Sequence, residues 1–346
     1  MLWDEKLVVT NGGLLQEIPS NMRKLGYVEA LREAIDYKMS QDPSTFLLGQ
    51  GVDDPGGMFG VTKGYKEIYG PDRVFDTPVS EEGMTGIATG AAMHGMRPIY
   101  FHNRPDFWLL AFNQIVSHAS KMHYMDNGQT SVPLVMWAAI GRGWGSGPQH
   151  SQAIQGLLIG VPGLKIVMPS TPYDAKGLLI SAIEDNNPVL ILEHRWLMKR
   201  EGPVPLDPYR VEIGKGVIRR VGDALTVVGI SHAIDQAWTA ASQIAAEENI
   251  AIEVIDLRSV KPLDKEMIFA SVEKTGKLLI VDTGWCMGGV TAEIGCLVAE
   301  NALSYLKAPI CRIGLPDSPS PAGYALEQFY YPNVQTIKKT MLQMVL

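Results

Sequence analysis

Short apolar runs alternate with helical patterns along most of the chain. STFLLGQGV (44–52), RVFDTPVS (73–80), RPIYF (97–101), VPLVMWAAI (132–140), LKIVMPS (164–170) and PVLILEH (188–194) are apolar runs bounded by turn residues, and each reads as a buried strand. Tyr27, Leu31, Ala34, Ile35 and Met39 recur at helical spacing and predict one apolar helix face, after an irregular extension that ends at Pro19. Further helices are predicted over 83–95, 112–124 and 175–184. Strands that alternate with helices build parallel βαβ units, whose sheet is covered on both faces.

The stretch MKREGPVPLDPYRVEIGKG (198–216) interrupts this rhythm, and its prolines mark it as a linker. Beyond it the alternation restarts with LTVVGI (225–230), a helix over 233–247, IAIEVIDL (250–257), KLLIVD (277–282) and a helix over 290–304. The expected fold class is α/β with two α/β domains. The boundaries are an N-terminal extension at 1–21, a first domain at 22–197, a linker at 198–212 and a smaller second domain at 213–346.

Composition narrows the function classes. The chain has 346 residues, is 46% hydrophobic and carries a formal charge of −7. Its charges are interspersed, with no basic run to track a nucleic-acid backbone, so no nucleic-acid partner is expected. No apolar run reaches the roughly 18 residues of a membrane span, and the first residues, MLWDEKLVVTNGG, carry early acids and no long apolar core. A soluble, cytoplasmic protein with no membrane partner is the expectation. Cys286, Cys296 and Cys311 match no zinc or redox spacing and are read as buried or idle thiols.

Candidate chemistry sits at the ends of predicted strands. In TPVSEEGMTG (77–86), Ser80 is a candidate N-cap, and Glu81 and Glu82 fall in the first helical turn. Acids there gain about 0.3–1 kcal/mol from the helix dipole, which explains both without any function. The helix that follows is nearly bare of bulk: Gly83, Gly86, Ala88, Gly90, Ala91, Ala92 and Gly95 suggest a second helix, a second subunit or a flat ligand packed close to its backbone. His102, Asn103, Arg104 and Asp106 cluster after the strand at 97–101, ahead of Phe107 and Trp108, either as a pocket rim or as an ordinary strand-to-helix turn. His150 lies in a glycine-rich loop, GWGSGPQHSQ (143–152), with hydrogen-bonding neighbours but no triad. Gly49-Gln50-Gly51 and Gly141-Arg142-Gly143 complete no phosphate-binding fingerprint and read as turns.

Read as one run, TPVSEEGMTGIATGAAMHGMRPI strongly resembles the signature of the beta chain of the thiamine-diphosphate-dependent first component of 2-oxo acid dehydrogenase complexes, of pyruvate and branched-chain type. The resemblance continues through LGQGV, GVTKGYKEIYGPDRVFDTPVSE, PQHSQ, PGLKIVMPSTPYDAKGLLISAIEDNNPV and DLRSVKPLD, and covers about residues 22 to 340. It implies a transketolase-like pyrimidine-binding domain followed by a transketolase C-terminal-type domain. It also implies thiamine diphosphate shared with an alpha subunit in an α₂β₂ assembly. The alpha chain would hold the diphosphate and its Mg²⁺ through a Gly-Asp-Gly…Asn motif that this sequence lacks. The acyl group would pass to a lipoyl-type acyltransferase or carrier protein.

By that resemblance Glu81 hydrogen-bonds the cofactor's aminopyrimidine nitrogen and favours the imino tautomer that activates the thiazolium carbon. Phe107 stacks on the aminopyrimidine, and His150 assists acyl transfer. Leu134, Ala182, Ile183, Asp185 and Asn187 match positions whose oxygens, mainly backbone carbonyls, hold a structural potassium ion in some members; the alternative is a plain helix C-terminus and the loop to the next strand. Glu82 keeps the helix-dipole explanation.

Two positions depart from the family pattern. Gln50 stands where the family has an acid that relays protons between distant cofactors, so either that exchange is absent or another acid such as Asp53 supplies it. HNRPDFW (102–108) is polar where the family is apolar, and Trp144 adds bulk near His150. His102, Arg104, Asp106 and Trp144 therefore suggest a more polar substrate or acceptor, such as a hydroxylated or sugar-derived donor. The competing functions are the C-terminal half of a split transketolase, which would move a two-carbon ketol unit, and a non-catalytic paralogue that only assembles with an alpha chain.

Overall fold

The computed structural model describes residues 8–10, 13–15, 21–143 and 145–346. The described chain divides into two compact units, one made of 21–140 and 158–213, the other of 8–10, 13–15, 141–143, 145–157 and 214–346.

The first unit is built on a parallel sheet. Its strands run Lys165–Val167, Val189–His194, Val135–Ile140, Arg97–His102, Thr45–Gly49 and Val74–Phe75 in spatial order, every neighbouring pair parallel. Strands Val135–Ile140 and Val189–His194 are buried at every residue, as expected for strands covered on both faces. Helix Tyr27–Gln41 buries Tyr27, Leu31, Ala34, Ile35 and Met39, the face read from the sequence. These side chains share one core with Leu178, Leu179 and Ile183 of helix Pro172–Glu184. Thr171 caps that second helix by accepting from the Asp174 amide at 3.1 Å.

Three local expectations are corrected here. Residues 112–124 do not form one regular helix: Gln114–Ala119 is a π-helical turn and Met122–Met125 a short α-helix. Inside the expected linker, Glu201–Pro205 is a strand that pairs antiparallel with Met22–Gly26. Its prolines are tolerated because it has one partner strand, so their missing N–H groups can face away from it. Of the expected irregular extension, Val8–Thr10 and Gly13–Leu15 pair as an antiparallel hairpin; the rest of 1–20 lies outside the described residues.

The second unit carries a five-stranded sheet in the order Val217–Arg220, Glu253–Asp256, Thr226–Gly229, Leu278–Trp285 and Cys311–Leu315. The first strand is antiparallel to its neighbour and the other pairs are parallel. Helix His232–Glu248 lays Ala237, Ala241 and Ile244 on Val227, Val254 and Val281, and Ile337 and Met341 of helix Val334–Val345 complete that core. All three cysteines are free, Cys296 exposed and the other two half-buried rather than buried. Among the described residues no helix is long and apolar enough to cross a membrane.

Candidate active site

In the first unit the predicted residues gather at the C-terminal ends of parallel strands, the usual binding edge of an open α/β sheet. Gln50 follows strand Thr45–Gly49, Glu81 lies beyond Val74–Phe75, and His102 ends strand Arg97–His102. Gly49 is required there: its φ is +144°, and a Cβ would stand 2.2 Å from the Phe101 carbonyl oxygen on the neighbouring strand. The chains approach closely just where Gln50 leaves the sheet.

The two adjacent acids have different surroundings. Glu81 is the first residue of helix Glu81–Met93 and is 8% exposed, and among the described residues its carboxylate has no hydrogen-bond partner. Glu82 is exposed, and its carboxylate accepts from Asn113 at 3.2 Å. Ser80 occupies the N-cap position without capping through its side chain; the Met84 amide donates to its carbonyl instead. Burial, and then the nearby Glu81 carboxylate, push the Tyr100 phenol up to about 12. A buried carboxyl group with unused acceptors is a candidate for an external hydrogen-bond partner. Along the helix, a Cβ on Gly90 would meet nothing within 4 Å, and Ile87 and Val79 are 60% and 82% exposed. Among the described residues, nothing covers the part of the small-residue face at Gly90.

The polar cluster after strand Arg97–His102 is largely buried. His102 is 4% exposed, its ring lies 4.0 Å from that of Tyr100, and its buried Nε2 has no partner. Burial pulls its imidazole down to about 3, so it contributes a neutral hydrogen-bonding group. Arg104 is 5% exposed, and its hydrogen bonds to the carbonyls of Asn103 and Ala139 are both 3.5 Å long. Burial pulls its guanidinium down, and the Asp106 carboxylate offsets part of that. Asp106 is buried in the first turn of the short 3-10 helix Pro105–Leu109, which also carries half-buried Phe107 and fully buried Trp108.

The positions matched to potassium lie at the end of helix Pro172–Glu184 and beside it. There the Arg97 guanidinium donates to the carbonyls of Ile183 at 2.8 Å and Asp185 at 3.1 Å, and to Asn186 Oδ1 at 2.7 Å. The carbonyls of Ala182 and Leu134 accept from the amides of Asp185 and Val189. Asp185 pairs with Lys165, and its carboxylate accepts from the Asn187 amide at 2.9 Å. Arg97 thus already supplies a cation to this loop, and no step below depends on potassium. Asp53, the acid suggested as a substitute for Gln50, is ion-paired with Lys66. Among the described residues no cluster of His, Cys, Asp and Glu would hold a metal ion.

His150 belongs to the second unit, on an exposed loop. Ser151 and Gln152 beside it line a cavity of about 380 Å³ with Trp285, Asp317, Ser320 and Tyr330. Trp144 lies outside the described residues. This unit also holds a pair that sequence reading missed: Gln155 Nε2 donates to both oxygens of fully buried Asp282 at 3.0 Å. Burial pushes the Asp282 carboxyl up to about 6, opposed by Gln155 and the amides of Gly284 and Thr283. The pair is 127 residues apart in sequence, so no local spacing signalled it. Phe59, in the first unit, has a left-handed backbone (φ 50°), rare for a bulky residue; only its glycine-rich surroundings, Gly56, Gly57 and Gly60, hinted at an unusual turn.

Comparison with known proteins matches residues 23–200 to the family described as "Transketolase, pyrimidine binding domain" and residues 214–337 to "Transketolase, C-terminal domain". The 2-oxoisovalerate dehydrogenase subunit beta of Bacillus subtilis (strain 168) is 39% identical, over 93% of this chain and 99% of that protein. An acetoin:2,6-dichlorophenolindophenol oxidoreductase subunit beta of Cupriavidus necator is 40% identical over 92% of this chain and 98% of that protein. The mitochondrial pyruvate dehydrogenase E1 component subunit beta-1 of Arabidopsis thaliana is 42% identical over 89% and 86%. Among solved structures, a split gene transketolase in an inactive beta4 tetramer has the same fold, with a TM-score of 0.75 at 21% identity over 93% of this chain and 98% of that one.

Proposed function

Because the chain belongs to the transketolase-type family of beta subunits of 2-oxo acid dehydrogenase first components, we propose that it is the beta subunit of a thiamine-diphosphate-dependent 2-oxo acid dehydrogenase that works with an alpha subunit. The observation that carries the assignment of roles is Glu81: buried, its carboxylate without a hydrogen-bond partner among the described residues, at the start of a helix whose face is open at Gly90.

When bound, thiamine diphosphate supplies the carbanion that attacks the 2-oxo acid. Glu81 fits the aminopyrimidine end of such a cofactor, because its carboxyl group has hydrogen-bonding capacity that the chain leaves unused. Its role is to hold a proton between itself and the ring nitrogen, as a general acid–base. Phe107, half-buried in the turn that follows strand Arg97–His102, offers an aromatic face for stacking. Neutral His102 adds an unpartnered Nε2 at the same sheet edge, suited to orient a polar substrate atom. His150 supports acyl transfer, and Gln50, an uncharged amide, positions the cofactor without relaying protons.

The alpha subunit holds the diphosphate and Mg²⁺, the assembly is α₂β₂, and a lipoyl-type carrier accepts the acyl group. The open small-residue face of helix Glu81–Met93 supports a subunit contact. The test is reconstitution with the alpha chain, followed by assay of carbon dioxide release from 2-oxo acids. Release that requires thiamine diphosphate and both chains is expected. Ketol transfer without carbon dioxide would assign the chain to a split transketolase, and assembly without any turnover to a non-catalytic paralogue.

A further inference from the structure

Residues 141–157 lie in sequence between two parts of the first unit but belong to the second. His150 is near the middle of this loop, and a side chain at each end is tied to an element of the second unit. At the front end, Arg142 pairs with Glu327 of helix Tyr324–Tyr330, and its guanidinium lies 5.6 Å from the centroid of the Tyr324 ring and 5.7 Å from that of Tyr331. At the rear end, Gln155 Nε2 donates to both carboxylate oxygens of Asp282, in strand Leu278–Trp285, at 3.0 Å. Gln155 and Asp282 are both fully buried.

The backbone makes room for the rear anchor. A Cβ on Gly284 would stand 2.6 Å from Gln155 Nε2 and 2.9 Å from Asp282 Oδ2, so the pair fits only beside a glycine. A Cβ on Gly156 would stand 3.0 Å from Gly289 Cα, which sets the chain after Gln155 against the turn that starts helix Val290–Asn301. The Gln155 amide has one orientation. Its Oε1 is buried and has no hydrogen-bond partner among the described residues, and turning the amide over would press that oxygen against the carboxylate. Burial pushes the Asp282 carboxyl up to about 6, so at pH 7 it is mostly ionised and the bonds from Gln155 are charge-assisted. A buried carboxylate that lost this donor would keep its desolvation cost, so the anchor resists breaking. Between the anchors, Ser151, Ala153 and Ile154 are buried while His150 is exposed. The amides of Ser146 and His150 donate to the carbonyls of Gly143 at 3.1 Å and Gly147 at 3.5 Å, turns that shape the loop from within.

We propose that Gln155 with Asp282, and Arg142 with Glu327, are positioning residues that hold the His150 loop at both ends for acyl transfer to the carrier. This rests on the role given to His150 in the reading above. A group that takes part in transfer must be placed closely, since an error of about 1 Å costs about 10²-fold in rate. The role asked of the two anchors is positional, so it predicts an effect on acyl transfer and none on the steps before it.

The test compares two activities of the reconstituted alpha–beta complex. Oxidation of a 2-oxo acid coupled to ferricyanide needs no acyl carrier, whereas acylation of lipoamide measures the transfer itself. The variants are His150→Ala, Gln155→Leu, Arg142→Met and the exchanged pair Gln155→Glu with Asp282→Asn. In Gln155→Leu and Arg142→Met, kcat with lipoamide should fall about 10- to 100-fold while ferricyanide turnover stays near wild type. The exchanged pair, in which amide and carboxylate change places, should recover most of that loss. A purely structural role would lower both activities together and leave their ratio unchanged. That result overturns the proposal, as does an unchanged lipoamide kcat in both anchor variants where His150→Ala lowers it. Should Gln155→Leu fail to assemble with the alpha chain, Arg142→Met carries the same comparison. Hydrogen exchange across residues 146–152 is the second readout, and it should be faster in the anchor variants than in wild type. If His150→Ala leaves lipoamide acylation intact, or the complex oxidises no 2-oxo acid, the role of His150 or the proposed reaction falls. Exchange then decides the anchoring alone: faster exchange upholds it and unchanged exchange overturns it.

Discussion

Replacing Glu81 by Gln keeps the shape of the side chain and removes only its ability to exchange a proton and carry charge. The structure sets both expected magnitudes. Glu81 is 8% exposed and its carboxylate has no hydrogen-bond partner among the described residues, so the substitution breaks no hydrogen bond there. It forfeits the helix-dipole interaction, worth about 0.3–1 kcal/mol, and relieves the cost of burying a charged group, so net stability should change by less than about 1 kcal/mol. That corresponds to a shift in Tm of at most about 4 °C. Catalysis should respond far more. Loss of a positioned general acid–base lowers turnover by about 10²–10⁴-fold, or about 3–5 kcal/mol of barrier. The assay is carbon dioxide release by the reconstituted pair at saturating thiamine diphosphate, with Tm measured on the same samples. Glu82→Gln is the paired control: that side chain is exposed and bonded to Asn113, and its loss should leave turnover near wild type. Wild-type turnover in Glu81→Gln, or equal losses in the two variants, would refute the argument that burial separates a catalytic acid from a helix-start acid.

Three further outcomes follow from named contacts. Asp282 has a folded-state pKa of about 6 against 3.8 unfolded, so the unfolded chain loses its proton first and stability falls as pH rises from about 4 to 6, by about 3 kcal/mol. Urea unfolding of wild type and Asp282→Asn across that window should show this slope in the wild type alone, and equal slopes would contradict it. Gly49→Ala should cost about 2–4 kcal/mol, because the new Cβ would stand 2.2 Å from the Phe101 oxygen at a φ of +144°; an unchanged urea midpoint would count against the close approach. Arg97→Met removes three donors from the carbonyls of Ile183 and Asp185 and from Asn186, and should destabilise by about 3 kcal/mol; a loss below about 0.5 kcal/mol would mean that these bonds hold nothing in place.

The order of strands and helices was legible because apolar runs and helical spacing are local properties. The six strands of the first unit and the face of helix Tyr27–Gln41 appear where those patterns put them. The chemistry at TPVSEEGMTG was legible as two alternatives, since a dipole effect and a catalytic carboxyl both suit a helix start. Tertiary structure separated the two acids, by burying Glu81 and leaving Glu82 in water. It also neutralised His102, whose imidazole is charged or neutral according to burial that no residue type reveals. The strand Glu201–Pro205 was hidden in a proline-rich stretch, because pairing with Met22–Gly26 is a contact between distant segments. The same holds for Gln155 with Asp282. Local pattern fixes which elements form; long-range contact decides which side chains share a dielectric environment, and so which of them can bind charge or hold a proton.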